Sequence, residues 1–200
     1  IFNALNSIQY YINSSDKQSA NKYLSRFAKL IRKNLDSSHR KDGMVALGDE
    51  IERLRLYLDL ESMRFTDRFD YEINLDPHVE PEMLKVPAMF LQPFVENSII
   101  HGILPLKDKK GMIKINVTDH LEHIRIEIID NGIGIDRSVY EKNEENDHES
   151  QGMLITKGRI ELLQKISAKS IEMIGPRQIN ENDNSISGTV VIFKLIKQYL

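Results

Sequence analysis

The sequence predicts an α+β chain in which a helical hairpin precedes an α/β sandwich. Near residue 66 the hydrophobic period changes, from apolar residues every three or four positions to segments that alternate every second position. The chain has 200 residues, of which 40% are hydrophobic, which is enough for one full domain and a smaller appended element. We therefore predict a helical part at residues 1–66 and a sandwich at residues 67–200.

Two polar interruptions divide the helical part. Residues 13–16 are strong helix-capping residues, and residues 37–43 form a polar turn. Leu24, Phe27, Ile31 and Leu35 mark one apolar stripe, and a further helical run extends from residue 47 to about residue 65. Two amphipathic helices joined by a short turn predict an antiparallel hairpin. Its exposed stripe favours pairing with a second copy in a homodimeric four-helix bundle.

The second part alternates strands and helices. Alternating apolar residues predict strands at 69–75, 112–117, 124–129, 170–174 and 189–195. Helical patterns lie at about 87–101, with Gly102 as the predicted stop, and at about 152–166. Residues 136–150 hold six acids against two bases without an apolar period, which predicts a polar loop. This order predicts helices over one face of a mixed sheet.

Composition excludes several classes of protein. The net charge of -3 and the dispersed basic residues give no chain-wide field that would gather nucleic acid. Cysteine is absent, which excludes disulfides and thiolate metal sites. No apolar run approaches the roughly 20 residues needed to span a bilayer. The chain begins at Ile1 within a helical pattern, from which we expect a piece of a longer protein.

Three short segments combine glycine with polar side chains at the ends of predicted elements. Residues 130–134 follow a strand, and their two glycines would let a planar ligand approach the backbone while Asp130 accepts hydrogen bonds. Asn97 and His101 are four apart and share one helical face, from which an amide oxygen and an imidazole would project towards a cation and its phosphates. Residues 150–153 open a helix, whose free N–H groups bind anions.

Each segment alone also has an ordinary explanation. Asp-Asn-Gly at 130–132 is among the best turn-forming sequences. The polar residues of 94–102 would also suit the solvated side of an amphipathic helix, and 150–153 would suit a plain helix start. The three segments become specific only jointly, through their order and spacing.

Together, Asn97, residues 130–134 and Gly152 resemble the N, G1 and G2 boxes of the GHKL, or Bergerat-type, ATP-binding fold. The resemblance is strongest to sensor histidine kinases, partnered with LytTR-type regulators, whose phosphoacceptor segment reads His-Phe-(Ile/Leu)-Phe-Asn-x-Leu-Asn. Residues 1–6 match the end of that segment, so the histidine would lie two positions before Ile1. Residues 47–65 resemble the second dimerisation helix of the same family.

The resemblance implies roles for individual residues. Asp130 would bind the adenine amino group, and Gly132 and Gly134 would shape the adenine pocket. Asn97 would ligate Mg²⁺ on the ATP phosphates and is the one residue with an expected positioning role in catalysis, with His101 beside the phosphates. The remaining implied nucleotide contacts are Gly152, Met153 and Thr189.

Departures from the family pattern lower the expected nucleotide affinity. Ile100 stands where the family often has lysine, and Ser150 replaces the first glycine of the usual Gly-x-Gly. Residues 136–150 would form the ATP lid, and their acidic side chains would oppose the polyanionic phosphates.

The resemblance implies a protein histidine kinase of a two-component system. It would bind MgATP and transfer the γ-phosphoryl group to the upstream histidine, and from there to an aspartate of a response regulator receiver domain. The implied partners are ATP, a second copy of the chain and the receiver domain, without nucleic acid. The whole protein would be a membrane-anchored sensor with this part in the cytoplasm. Without the acceptor histidine, this chain is expected to bind ATP but not to autophosphorylate.

Two other functions stay open. GHKL ATPases resemble one another in carrying a glutamate one helical turn before the asparagine; here that position is Pro93, and Glu96 points about 100° away around a helix. A dimerisation and docking module with a degenerate nucleotide site is the second alternative.

Glu50, Glu61 and Arg64 are predicted to lie on a solvated helix face. Structural rather than metal-binding roles are predicted for His39, His120, His123 and His148.

Overall fold

A computed structural model describes residues 2–14, 16–38, 43–134, 171–179 and 188–197. The chain forms two compact units. The first is Ile1–Arg68 with Pro81–Ala88, and the second is Phe69–Glu80 with Met89–Leu200. The sequence predicted a single division after residue 66, and the return of residues 81–88 to the first unit has no counterpart in that prediction.

Three helices make up most of the first unit, as the helical period predicts. They are α1 (Phe2–Asn13), α2 (Lys17–Ser38) and α3 (Leu47–Arg64). The predicted interruption between α1 and α2 is confirmed: an Asp16 carboxylate oxygen accepts the Ser19 backbone N–H at 3.0 Å and so caps α2. Hydrogen bonds from Ser19 hold the pKa of the Asp16 carboxyl below its usual value.

The core of the first unit joins all three helices. Its buried members are Tyr23, Leu30, Leu56 and Leu60, with Ile8, Tyr11, Phe27, Tyr57 and Met63 packed against them. The Tyr11 hydroxyl donates to the Met63 carbonyl at 2.6 Å, which fixes α1 on α3. The predicted stripe on α2 is divided: Phe27 packs against this core, whereas Leu24 is 51% and Leu35 is 56% exposed, which agrees with the prediction of an exposed stripe. Tyr23 takes the central place because its ring fills the core and its hydroxyl reaches Ser7.

Charged side chains also join α2 to α3. The Lys29 ammonium lies 2.7 Å from the Glu52 carboxylate, and Lys33 lies 2.6 Å from Glu52 and 3.2 Å from Asp49. Hydrogen bonds from Lys29 and then Lys33 lower the pKa of Glu52 from 4.5 to about 2.

A second ion pair in α3 is buried, contrary to the predicted solvated face. Glu50 is 1% and Arg53 is 2% exposed, and their charged groups are 2.5 Å apart. The prediction was wrong for Glu50 because a residue's polarity does not reveal whether a buried partner neutralises it. Elsewhere on the helix, Arg64 pairs with Glu61 at 3.2 Å and keeps 29% of its side chain exposed.

Two short strands complete the first unit. Strand β1 (Met44–Ala46) pairs antiparallel with β3 (Lys85–Pro87), with Val45 opposite Val86. The sequence predicted that residues 86 and 87 lead directly into a helix, which was wrong. A three-residue strand is too short to show an alternating period.

The second unit contains a five-stranded mixed sheet. Its strands are β2 (Phe69–Leu75), β4 (Gly111–Asp119), β5 (His123–Asp130), β6 (Ile171–Gln178) and β7 (Thr189–Ile196), in the order β2-β4-β5-β7-β6. The β2–β4 pair is parallel and the other three pairs are antiparallel. All five predicted strands and the mixed sheet are confirmed. The predicted lid at 136–150 and the helix at 152–166 lie outside the described residues.

A helix of two geometries packs on the buried face of this sheet. Helix α4 (Gln92–Asn97) continues directly as a π-helix (Ser98–Ile103). Phe90 and Phe94 meet Phe193 edge to face, with ring centroids 5.3 Å and 5.0 Å apart. Gly102 does not end the helix as predicted, because helical geometry extends to Ile103, which is fully buried. None of the helices in the described ranges is both long and apolar enough to cross a membrane.

We expect Glu52→Gln to destabilise the helical unit at neutral pH, and this effect to diminish below pH 4.5 and vanish only below about pH 2. The folded-state pKa is lowered, so the charged pairs add stability above about pH 4.5 and lose it as the pH falls towards 2. The Glu52 side chain is 43% exposed, so solvent screening limits the change to below about 1 kcal/mol. Urea unfolding followed by far-ultraviolet circular dichroism at several pH values measures it.

Glu72→Gln is the matched control for this prediction. Glu72 is similarly exposed at 47% but pairs with Lys114 alone, at 3.2 Å. Its substitution should therefore change the free energy of unfolding at neutral pH by less than Glu52→Gln does. A Glu52→Gln effect that persists undiminished at pH 2 would contradict the assigned ion pairs.

Candidate functional site

Strand β5 ends in a buried carboxylate. Ile124, Ile126 and Ile128 alternate along the strand on its buried face, and Asp130 occupies the next position of the same series. Because alternate residues of a strand point to one face, the Asp130 side chain lies on the core side of the sheet. Asp130 is only 2% exposed. A carboxylate buried this deeply requires hydrogen-bond donors around it.

Three donors from three parts of the chain meet the Asp130 carboxylate. The Ser98 hydroxyl donates to Oδ2 at 2.8 Å, and the Thr189 hydroxyl donates to the same oxygen. The Gly132 backbone N–H donates to Oδ1 at 2.9 Å. Thr189 is the cross-strand partner of Asp130 on β7, which explains its position. The carboxylate therefore links the π-helix, the strand β7 and the turn that follows β5.

Glycines allow the backbone to pack closely around this carboxylate. A Cβ atom on Gly132 would lie 2.5 Å from the backbone of Gly102, and one on Gly188 would lie 2.1 Å from the Asp130 carbonyl oxygen. A Cβ atom on Gly102 would lie 3.0 Å from Asp130 Oδ1. The Ile133 N–H donates to the Gly102 carbonyl at 3.0 Å. The turn after β5 and the π-helix are thus in backbone contact.

Asn97 and His101 lie on the exposed side of the same helical segment. Both residues are exposed, whereas Ser98 and Gly102, one position later in each case, are buried beside Asp130. Asn97 directly precedes Ser98, so their Cα atoms are about 3.8 Å apart. The helix therefore presents one pair of residues to solvent and the next pair to the carboxylate. The amide at 97 and the carboxylate at 130 belong to one region of the unit.

The structure places most, but not all, of the residues that the sequence singled out. Asp130, Gly132 and Thr189 are brought into direct contact. Gly134 has a φ of 79°, a left-handed conformation that favours glycine, so the second glycine of the turn is required by the backbone. Gly152 and Met153 lie outside the described residues. Their nucleotide contacts, like those of Asn97, His101 and Asp130, stay predictions.

Sequence reasoning missed two residues of this site. Ser98 was not considered beside Asn97, and Gly102 was treated only as a helix stop. The Ser98–Asp130 hydrogen bond joins positions 32 residues apart, for which a single sequence carries no signal. For Gly102, the signal in the sequence was its position four residues after Ser98, which places both residues on one helical face.

The site contains features that accommodate the nucleotide implied by the resemblance. Asp130 is a buried acceptor, which suits an amino group, and the glycine at position 102 keeps a side chain from pressing on its Oδ1. The exposed amide of Asn97 offers an oxygen of the kind that Mg²⁺ prefers. At the position where lysine was expected, the Ile100 side chain is 52% exposed and adds no charge. The described residues therefore fit MgATP, with one cationic contact fewer than the family pattern.

The histidines of the β4–β5 hairpin form a separate feature. The His120 and His123 rings are stacked, with centroids 4.9 Å apart and planes at 12°. Burial, and then the neighbouring His120, lower the pKa of His123. Among the described residues, no group of three or more His, Asp or Glu side chains is arranged to hold a metal ion.

Family models match both parts of the chain. Residues 87–198 match the model described as "Histidine kinase-, DNA gyrase B-, and HSP90-like ATPase", and residues 1–69 match the model described as "Histidine kinase". The buried aspartate, the close-packed glycines and the adjacent asparagine all lie within the matched range 87–198. The chain belongs to the histidine kinase-, DNA gyrase B- and HSP90-like ATPase family.

Sensor kinases are among the similar proteins. "Sensor histidine kinase YpdA" of Escherichia coli (strain K12) is 31% identical over 165 residues, which cover 82% of this chain and 28% of that protein. "Sensor protein LytS" of Oceanobacillus iheyensis is 30% identical over 183 residues, covering 90% of this chain and 29% of that protein. The chain thus spans less than a third of the length of these relatives.

Solved structures share the fold. The nucleotide-free catalytic domain of histidine kinase ThkA has a TM-score of 0.50 and 19% identity, with 77% of this chain and 94% of that chain covered. The histidine kinase domain of a blue-light activated kinase from Erythrobacter litoralis has a TM-score of 0.50 and 15% identity, with 92% and 82% covered. At these identities the likeness concerns the fold alone.

We expect Gly132→Ala to be more destabilising than Gly102→Ala. The new Cβ of Gly132→Ala would overlap the backbone of Gly102 at 2.5 Å, whereas that of Gly102→Ala would meet the end of a side chain at 3.0 Å. Backbone must move in the first case, at a cost of about 1–3 kcal/mol, while a small carboxylate shift suffices in the second. Urea unfolding of both variants measures the difference. An equal loss would contradict the close backbone contact.

Proposed function

We propose that this chain is the ATP-binding and phosphotransfer core of a sensor histidine kinase of a two-component system. The observation that carries the proposal is the buried Asp130 carboxylate, which is held by three donors yet has a glycine rather than a side chain beside its Oδ1. A buried carboxylate with an acceptor position left on one oxygen suits recognition of the adenine amino group. Membership in an ATPase family supports the same ligand.

Each residue of the site has a role under this proposal. Asp130 accepts a hydrogen bond from adenine, while Thr189 and Gly132 hold its carboxylate. Asn97 contributes its amide oxygen to Mg²⁺, and His101 lies beside the phosphates. Gly134, Gly152 and Met153 complete the predicted contacts. When bound, MgATP supplies the γ-phosphoryl group, and the chain's own contribution is to position it and offset its charge.

The proposed acceptor is a histidine that precedes residue 1 of this sequence. A response regulator receiver domain would then take the phosphoryl group on an aspartate. We further propose that the helical unit pairs with a second copy of itself, and that the whole protein is anchored in a membrane with this part in the cytoplasm. The similarity to sensor histidine kinases and the match of residues 1–69 to the histidine kinase model support these proposals.

The contacts around α4 weigh against ATP hydrolysis as the main activity. Pro93 occupies the helical position where the ATPases of this superfamily carry their glutamate, and it is buried. Glu96 accepts a hydrogen bond from the Gln92 side chain at 2.7 Å, so its carboxylate is already engaged on the helix. Neither residue supplies a free general base next to Asn97.

We expect Asn97→Ala to weaken MgATP binding on the order of tenfold or more, because one oxygen ligand of the cation is lost. Isothermal titration with a non-hydrolysable ATP analogue, with and without Mg²⁺, measures the change. Asn116→Ala is the matched control. Asn116 lies on the outward face of β4, where its amide oxygen accepts from Asn74 at 3.0 Å, and its loss should leave nucleotide affinity unchanged.

Absence of binding by the unaltered chain at millimolar nucleotide would favour the alternative of a docking module with a degenerate site. An equal loss of affinity in both asparagine variants would contradict the metal role of Asn97. It would not contradict the proposal that the unaltered chain binds nucleotide.

The kinase activity itself requires the upstream segment. We expect a longer chain that includes the preceding histidine to acquire an acid-labile, base-stable phosphate from MgATP, and the present chain to acquire none. Phosphorylation followed by acid and alkali treatment makes this comparison. Phosphate that survives acid, or that also forms on the present chain, would contradict the assigned acceptor.

A further inference from the structure

Ser98 contacts the Asp130 carboxylate but belongs to no recognised motif of the chain. It is the first residue of the π-helix and directly follows Asn97. It is 7% exposed, and its hydroxyl lies 2.8 Å from Asp130 Oδ2. An ionised carboxylate can only accept, so the Ser98 hydroxyl donates its proton to this bond. Ser98 therefore acts on the carboxylate from the helix side, opposite the strand that carries Thr189.

The number of donors leaves one acceptor position on the carboxylate free. Each carboxylate oxygen accepts about two hydrogen bonds. Oδ2 receives two, from the hydroxyls of Ser98 and Thr189. Oδ1 receives one, from the Gly132 N–H at 2.9 Å. Among the donors of the described ranges, Oδ2 therefore receives its full two hydrogen bonds, which leaves Oδ1 as the oxygen for a ligand.

Gly102 packs against the same carboxylate. A Cβ atom at position 102 would come 3.0 Å from Oδ1 and 3.5 Å from Oδ2. A side chain at this position would therefore press on Oδ1, the oxygen with one described donor, before it reached Oδ2. Ser98 and Gly102 are four residues apart on the same helical segment, so one element both donates to Oδ2 and, through its glycine, keeps a side chain away from Oδ1.

We propose that Ser98 is a positioning residue that sets the purine selectivity of the site. By donating to Oδ2 it fixes the plane of the carboxylate and leaves Oδ1 as the single acceptor for the ligand. The site then favours a purine that presents an exocyclic amino group over one that presents hydrogen or a carbonyl there. This inference rests on the proposed function, because it assumes that a purine nucleotide is the ligand.

Thr189 alone does not provide this constraint. A single hydroxyl on Oδ2 leaves a second acceptor position on that oxygen, while the Gly132 N–H continues to hold Oδ1. A ligand amino group would then have two oxygens to choose from, in orientations that differ in geometry. The second donor, from Ser98, removes that choice.

The test compares two nucleotides on the chain and its variants. Isothermal titration in the presence of Mg²⁺ gives the affinities for ATP and for purine riboside triphosphate, which has hydrogen in place of the amino group. We expect Ser98→Ala to weaken ATP binding on the order of tenfold and to change purine riboside triphosphate binding less than about twofold. Ser98→Thr retains the hydroxyl and should restore most of the discrimination. Thermal melting monitors the folding of each variant.

Ser62→Ala is the matched control, because Ser62 is likewise a helical serine, but its hydroxyl donates to the Asp59 carbonyl at 3.0 Å in the other unit. It should alter neither affinity. If Ser98→Ala does not fold, Ser98→Cys replaces it, since the thiol has similar size and is a weak donor.

The outcomes separate the two proposals. If the unaltered chain binds ATP and Ser98→Ala weakens both nucleotides equally, Ser98 is merely structural and the inference is overturned. Unchanged affinities in Ser98→Ala overturn it as well. If the unaltered chain does not bind ATP, the proposed function fails and the selectivity role fails with it.

Discussion

The arrangement of the second unit depends on the free energy needed to bury one carboxylate. A charged group removed from water costs several kcal/mol unless donors surround it. Asp130 obtains donors from the π-helix, from β7 and from the turn after β5. The close backbone approaches around these donors require glycine at positions 132 and 188, where a Cβ atom would overlap backbone. The carboxylate and the glycines are therefore one structural solution rather than separate motifs.

Within the site, the helix separates two tasks by a single residue step. The exposed pair, Asn97 and His101, faces solvent, where a cation and phosphates would be held. The buried pair, Ser98 and Gly102, faces the carboxylate. Under the proposed function, recognition of a base and binding of a charged tail would depend on adjacent residues of one helical segment. A six-residue α-helix and the six-residue π-helix that continues it therefore carry both the exposed and the buried pair of residues.

Much of the fold could be predicted from the sequence because periodicity reports burial. The three helices and five sheet strands follow from stripes and alternation, and Asp130, Gly132 and Thr189 were found through their motifs. What periodicity cannot report is partnership between distant residues. Glu50 was predicted to be solvated because the sequence does not reveal its buried ion pair with Arg53. Ser98 was overlooked because its hydrogen-bond partner lies 32 residues away. Strands of three residues, such as β1 and β3, are too short to show any period.

The contact between Asp130 and Thr189 has a consequence for biosynthesis. The two residues are 59 positions apart, and Thr189 opens the last strand of the sheet. During translation the carboxylate therefore emerges well before one of its hydroxyl donors, and a nascent chain lacks the complete set until its C-terminal strand has been added. The set of hydrogen bonds around Asp130 is thus completed late in synthesis, so that prematurely terminated chains would lack the Thr189 donor.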